Sequence, residues 1–126
     1  MNENPVRWFE IYVQDMPRAR KFYEAVFGFK LQMINTPNDL GAELWGFPME
    51  KNVLGAGGAL VKMEGVPSGG NSTLVYFASD DCAVEEALVV KAGGKIHRAK
   101  TGIGPYGFIS LVHDTEGNMF GIHSLS

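Results

Sequence analysis

The stretch "VRWFEIYV" (Val6 to Val13) sets one carboxylate, Glu10, between Phe9 and Ile11, with Trp8 and Tyr12 two residues away on either side. A carboxylate with so many apolar neighbours is expected to be partly desolvated, which suits it to general-base work. The alternative is a carboxylate satisfied by cross-strand or backbone hydrogen bonds, as buried acids usually are. Near the other end, "GNMFGIHS" (Gly117 to Ser124) carries His123, either an acid, base or ligand contact in a pocket or an ordinary imidazole near a strand end. Glu10 and His123 are the candidate catalytic pair. Trp8, Tyr12, Trp45 and Tyr76 can form an aromatic box for a planar or cationic molecule, or can simply pack on a sheet.

The remaining chemistry-bearing residues point less clearly to a site. His97 and His113 sit beside charged residues at strand or turn ends and are expected at the surface. Cys82 falls near a helix start, but Asp80 and Asp81 oppose any lowering of its thiol pKa. The cluster "GAGG" (Gly55 to Gly58) lacks the Lys and Ser/Thr of a phosphate loop and reads as a close strand approach. "TGIGPYG" (Thr101 to Gly107) reads as a strand connection or a lid.

Two similar half-chains must position these groups. "VRWFEIYV" reads as a strand, and "QDMPRARKFYEAVFG" after it reads as a helix. Asp15 is its N-cap, Pro17 falls in its first turn, and Gly28 supplies a left-handed stop. Met16, Ala19, Phe22, Tyr23, Val26 and Phe27 form its buried stripe. About 66 residues later the plan repeats, with "STLVYFAS" as strand, "DDCAVEEALVVKA" as helix and "GG" as stop, so that Asp81 matches Asp15 and Gly94 matches Gly28. Val84, Ala87, Leu88 and Ala92 are the expected second stripe. Three short strands follow in each half: "FKLQMI", "AELWGF" and "GGALVKM", then "KIHRAK", "GFISLVH" and "NMFGIHS".

The domain expectation is one unit over residues 1–126, with module one at about 5–63, a Pro-, Gly- and Ser-rich linker at 64–72, and module two at about 73–124. Strand parity puts Phe9, Ile11 and Val13 under the helices and Trp8, Glu10 and Tyr12 on the other face. The 66-residue offset adds Leu74, Tyr76 and Ala78 to that second face, and the last strand adds Met119, Gly121 and His123. An aromatic, concave face with a few polar groups is how small-molecule sites are commonly built.

Composition narrows the function classes. Residues are 45% hydrophobic and 11% aromatic, enough for a core in one domain. Eleven Lys and Arg against fourteen Asp and Glu give a net charge of −3 and no basic footprint, so no nucleic-acid partner is expected. One cysteine excludes an internal disulfide framework and agrees with a reducing compartment. The residues before Trp8 do not read as a signal leader and no apolar run nears a membrane span, so the expectation is a soluble, cytoplasmic protein with no membrane partner.

The paired strand-helix-three-strand modules, the opening "FEIYVQDMPRARKFYEAVFGF" and the close "HDTEGNMFGIH" resemble the vicinal oxygen chelate superfamily, which includes glyoxalase I, bleomycin resistance proteins and extradiol dioxygenases. The resemblance covers about Val6 to His123 and is nearest to the glyoxalase-like group. It implies an α+β fold, two βαβββ modules forming a curved mixed sheet around a cavity, and a homodimer. It also implies metal-ligand positions, which fall here on Trp8, on Leu74 or Thr73, on Ala59 and, for the final carboxylate, on Gly121. None of these side chains binds a divalent cation, so neither a metal nor another cofactor is expected. Two readings follow. One is a lyase or isomerase acting on a small carbonyl or thiol-conjugate substrate through Glu10 and His123. The other is a metal-free protein that sequesters an antibiotic-type small molecule. In both, Trp8, Tyr12, Trp45, Tyr76, Met119 and Gly121 are the expected contacts.

Overall fold

A computed structural model describes residues 4–35 and 41–126. The chain runs β1 (Trp8–Tyr12), α1 (Met16–Phe27), β2 (Gln32–Ile34), β3 (Ala42–Gly46), β4 (Gly57–Met63), β5 (Tyr76–Ala78), α2 (Cys82–Lys91), β6 (Lys95–Gly102), β7 (Phe108–His113) and β8 (Met119–Ser124). The strands make two four-stranded mixed sheets that do not close on each other, β1-β4-β3-β2 and β5-β8-β7-β6. Each module's first strand pairs in parallel with its last, and the other pairs are antiparallel. The repeat holds at the level of register, because Glu10 lies opposite Ala59 and Tyr76 lies opposite Gly121.

Local chemistry sets both helix starts. Asp15 is extended and its side chain accepts from the Arg18 N–H at 3.0 Å, while Asp81 accepts from the Ala83 N–H at 3.0 Å. Gly28 ends α1 in the left-handed conformation, at φ 77°, donating to the Glu24 carbonyl.

The second helix departs from expectation at two points. The left-handed residue after it is Gly93, at φ 100°, not Gly94. Its buried side chains are Cys82 and Val89, whereas Val84 and Ala87 are exposed and Leu88 and Ala92 half-buried. The reason is that apolar residues surround this helix, so spacing alone selects no face. The β5 strand is also shorter than "STLVYFAS" suggests, covering only Tyr76–Ala78.

Helix α1 packs on β4 and on α2, and α2 packs on β6, β7 and β8. Between them lies an aromatic core. Phe77 of β5 sits 4.7 Å from Phe27 and 5.5 Å from both Phe47 and Phe120, ring centre to ring centre, and it also meets Phe9 and Tyr23. Rings from both modules interlock there, which joins the modules into one core. Among the described residues, no helix is long and apolar enough to cross a membrane.

Candidate functional site

A cavity of about 920 Å³ opens between the modules. It is walled by β1, by residues 73–78 leading into and through β5, by the start of β8, and by both ends of the loop joining β3 to β4. The cavity is open to solvent, and of its wall residues Trp8 keeps 41% of its surface and Tyr76 46%.

Glu10 stands at the centre of the β1 wall. Its carboxylate accepts the Tyr12 hydroxyl at 2.8 Å and the Trp8 indole N–H at 3.2 Å. Residues two apart on a strand share a face, so the alternation in "WFEIY" builds this three-residue cluster by itself. The hydrogen bond to Glu10, then burial, then the nearby carboxylate charge all raise the Tyr12 phenol above its ordinary value. Glu10 itself is exposed, not enclosed by its aromatic neighbours. They bond it at its edges and leave it open to the cavity.

The other candidates divide. Trp8, Glu10, Tyr12, Tyr76 and Met119 all line the cavity. Trp45 does not: it pairs with the buried Leu60 of β4, and the Arg20 guanidinium of α1 lies 3.4 Å above its ring, on the helix side. His123 shares the cavity face of β8 but lies at the far end of the strand, outside the lining. Its Nε2 is 2.7 Å from the Tyr106 carbonyl and must carry a proton, since a carbonyl only accepts. Of the candidate acid–base pair, only Glu10 lines the cavity. Tyr106 belongs to a 3₁₀ turn over Gly104–Tyr106, so "TGIGPYG" bears on His123 and not on the cavity.

Gly121 is covered. A Cβ there would strike the Tyr76 ring, which the parallel register sets directly over the glycine. The same device recurs at Gly58, under the Phe9 ring. The ligand positions implied by resemblance thus carry an indole, an alkyl or hydroxyl group, a methyl, and a glycine under an aromatic ring, a set that does not fit a divalent cation. Among the described residues no group of three or more His, Cys, Asp or Glu is placed to hold a metal. Gly121→Ala is expected to push the partly exposed Tyr76 ring away from β8 at a stability cost of about 1–3 kcal/mol, as overpacking does. The ring NMR shifts of Tyr76 would check the move; unchanged ring shifts would refute it.

The polar floor of the cavity was not evident from the sequence. Asn118 donates to the Tyr12 carbonyl at 2.8 Å and accepts the Gly69 N–H at 2.6 Å. Asn71 donates to the Met119 carbonyl at 3.0 Å and accepts its N–H at 3.1 Å. Residues 64–72, the expected linker, are thereby fastened to the turn between β7 and β8 and to the start of β8. That turn, "DTEGN", also grips module one. Glu116 accepts the N–H groups of Gln14 and Asp15, each at 2.9 Å, and two bonds from the Arg18 guanidinium at 2.6 and 3.1 Å. Tyr23 donates to Asp114 at 2.7 Å. The only sequence signal was two acids, a glycine and an asparagine within one short turn.

Comparison with known proteins adds context. Residues 6–40 match the family model described as bleomycin resistance protein-like N-terminal. A glyoxylase-like domain-containing protein of Didymella fabae is 31% identical over 114 residues, covering 90% of this chain and 88% of the relative. Among solved structures, the V278E mutant of glyoxalase I from Zea mays superposes with a TM-score of 0.75 at 22% identity over 96% of this chain, which spans 46% of the maize chain. A glyoxalase/bleomycin resistance protein/dioxygenase family enzyme from Burkholderia phytofirmans PsJN superposes with a TM-score of 0.65 at 19% identity, over 94% of this chain and 97% of the other. At these identities the two structures bear on fold alone.

Proposed function

The chain belongs to the glyoxalase-like branch of the vicinal oxygen chelate superfamily, and on that premise we propose that it is a metal-independent protein that binds a small, largely apolar organic molecule between its modules without turning it over. The observation that carries this reading is the cavity itself, open, aromatic and joined to a hydrogen-bonded polar floor. Its volume falls at the upper end of the range of small-molecule pockets, roughly 300–1,000 Å³. The lyase or isomerase reading needs two groups that exchange protons with one substrate, and it is weakened because His123 is not among the lining residues and its Nε2 is engaged by the Tyr106 carbonyl.

Protein purified without chelators is expected to hold no stoichiometric transition metal by elemental analysis, and to gain melting temperature from organic ligands and not from divalent cations. One tightly held metal per chain would overturn the metal-independent reading. Turnover of a hemithioacetal that is lost in Glu10→Gln would reinstate the enzyme reading.

A homodimer is part of the proposal. Val6, Val53 and Leu54, the last two on the β3–β4 loop at the cavity edge, keep 67%, 61% and 101% of their surface, and a second copy of the chain would cover such groups. Sedimentation should give twice the chain mass at micromolar concentration; a single-chain mass would remove this element. The buried, unpaired Cys82 thiol suits a reducing compartment such as the cytoplasm.

A further inference from the structure

Resting on the binding reading above, we propose that the cavity selects ligands with one cationic head, seated on Glu10 between Trp8, Tyr12 and Tyr76, and rejects anionic ones. Among the described residues, Glu10 is the only side chain of formal charge in the lining, which includes no Lys, Arg or His. An anion entering this space would lose water and gain no counter-charge, while a cation would gain one.

The carboxylate is also prepared for a cation. It has about four acceptor sites. The Trp8 and Tyr12 donors occupy two of them from the side, at 3.2 and 2.8 Å. Those bonds fix the orientation of the group, and the remaining sites are free for ligand N–H donors. Trp8 and Tyr12 meet Glu10 through their polar edges, and the partly exposed rings of Trp8 and Tyr76 offer aromatic surface to a cation. Beyond the head, Phe47, Leu74 and Met119 offer an apolar wall for the body of the ligand.

The arrangement disfavours thiol conjugates of acidic peptides, whose carboxylates would face Glu10. It favours an amine or quaternary ammonium on an aromatic or aliphatic body.

Three probes with a common phenylalkyl body test this: 2-phenylethylammonium, 2-phenylethanol and 3-phenylpropionate. The indole N–H resonance of Trp8, which is bonded to Glu10, reports on the site, and that of Trp45, bonded to Glu43 at 2.9 Å on the helix side, is the internal control. The ammonium is expected to bind at least tenfold more tightly than the alcohol, with no saturable shift from the carboxylate. Glu10→Gln should bring the ammonium down to the affinity of the alcohol. Equal affinities for ammonium and alcohol, or preference for the carboxylate, would overturn the cation site while the binding reading stood. If none of the three moved the Trp8 resonance, the binding reading itself would fall, and the cation site with it.

Discussion

Glu116→Ala is expected to destabilise the fold by about 3 kcal/mol. The Glu116 side chain is fully buried, and two of its bonds come from the backbone N–H groups of Gln14 and Asp15 at the entry to α1. Alanine strands both donors, at about 1–3 kcal/mol each. The Arg18 partner matters less, because 53% of its side chain faces water and its charge is resolvated when the carboxylate goes. Chemical unfolding checks the figure. A loss below about 1 kcal/mol would mean that water or a neighbouring side chain replaces the carboxylate.

The pH dependence of this effect has a definite sign. Burial pushes the Glu116 carboxyl up, but the Arg18 guanidinium and the N–H groups of Asp15 and Gln14 more than offset it and hold it below its ordinary value of 4.5. A depressed acid contributes stability that is complete above its unfolded value and is lost as pH falls through the folded one. Asp114 runs the other way: burial raises it above 3.8, and the bonds from Tyr23, Asn118 and Glu116 only partly counter this. Its share of stability is present at low pH and declines as pH rises through the folded value. The gap in stability between the wild type and Glu116→Gln should therefore narrow as pH drops below about 4.5, since protonation removes from the wild type the charge that the substitution has already removed. Parallel curves would exclude Glu116 from the acid response.

What the sequence made legible is what local chemistry decides. Asp15, Asp81 and Gly28 declare the helix ends because a cap needs only its neighbours within one turn. The cluster of Trp8, Glu10 and Tyr12 was readable for the same reason, since a strand's alternation puts them on one face. Trp45 was not, because its side depends on register with β4, which a long-range pairing sets. Gly121 is the instructive case. As a bare glycine it suggests an open space, yet Tyr76 fills that space, and both the 66-residue repeat and the parallel pairing were needed to see which ring lies above it. Glu116 was visible as a turn residue, but its partners lie about 100 residues away and no local rule names them.

The paired glycines after α2 allow a sharper test of how far such reading goes. Gly93 adopts the left-handed conformation, and there an alanine costs about 1–2 kcal/mol of backbone strain. Its Cβ would meet only a Thr115 methyl, at 3.3 Å. Gly94 needs no special backbone angle, yet a Cβ there would strike the His113 carbonyl and come within 2.8 Å of both the Phe22 ring and a Val89 methyl. Phe22 and Val89 are fully buried and cannot swing aside, and the carbonyl belongs to the β7 backbone beside the Lys95–His113 pair. Gly94→Ala is therefore expected to cost about 3 kcal/mol, the upper end for an added methyl in a packed core, and to exceed Gly93→Ala. Urea titration should show a lower midpoint with an unchanged slope for both variants. Neither residue lines the cavity, so ligand affinity measured in the folded fraction should stay at the wild-type value. A larger loss in Gly93→Ala than in Gly94→Ala would mean that backbone conformation, and not the close approach of α2 to β7, is what this glycine pair protects.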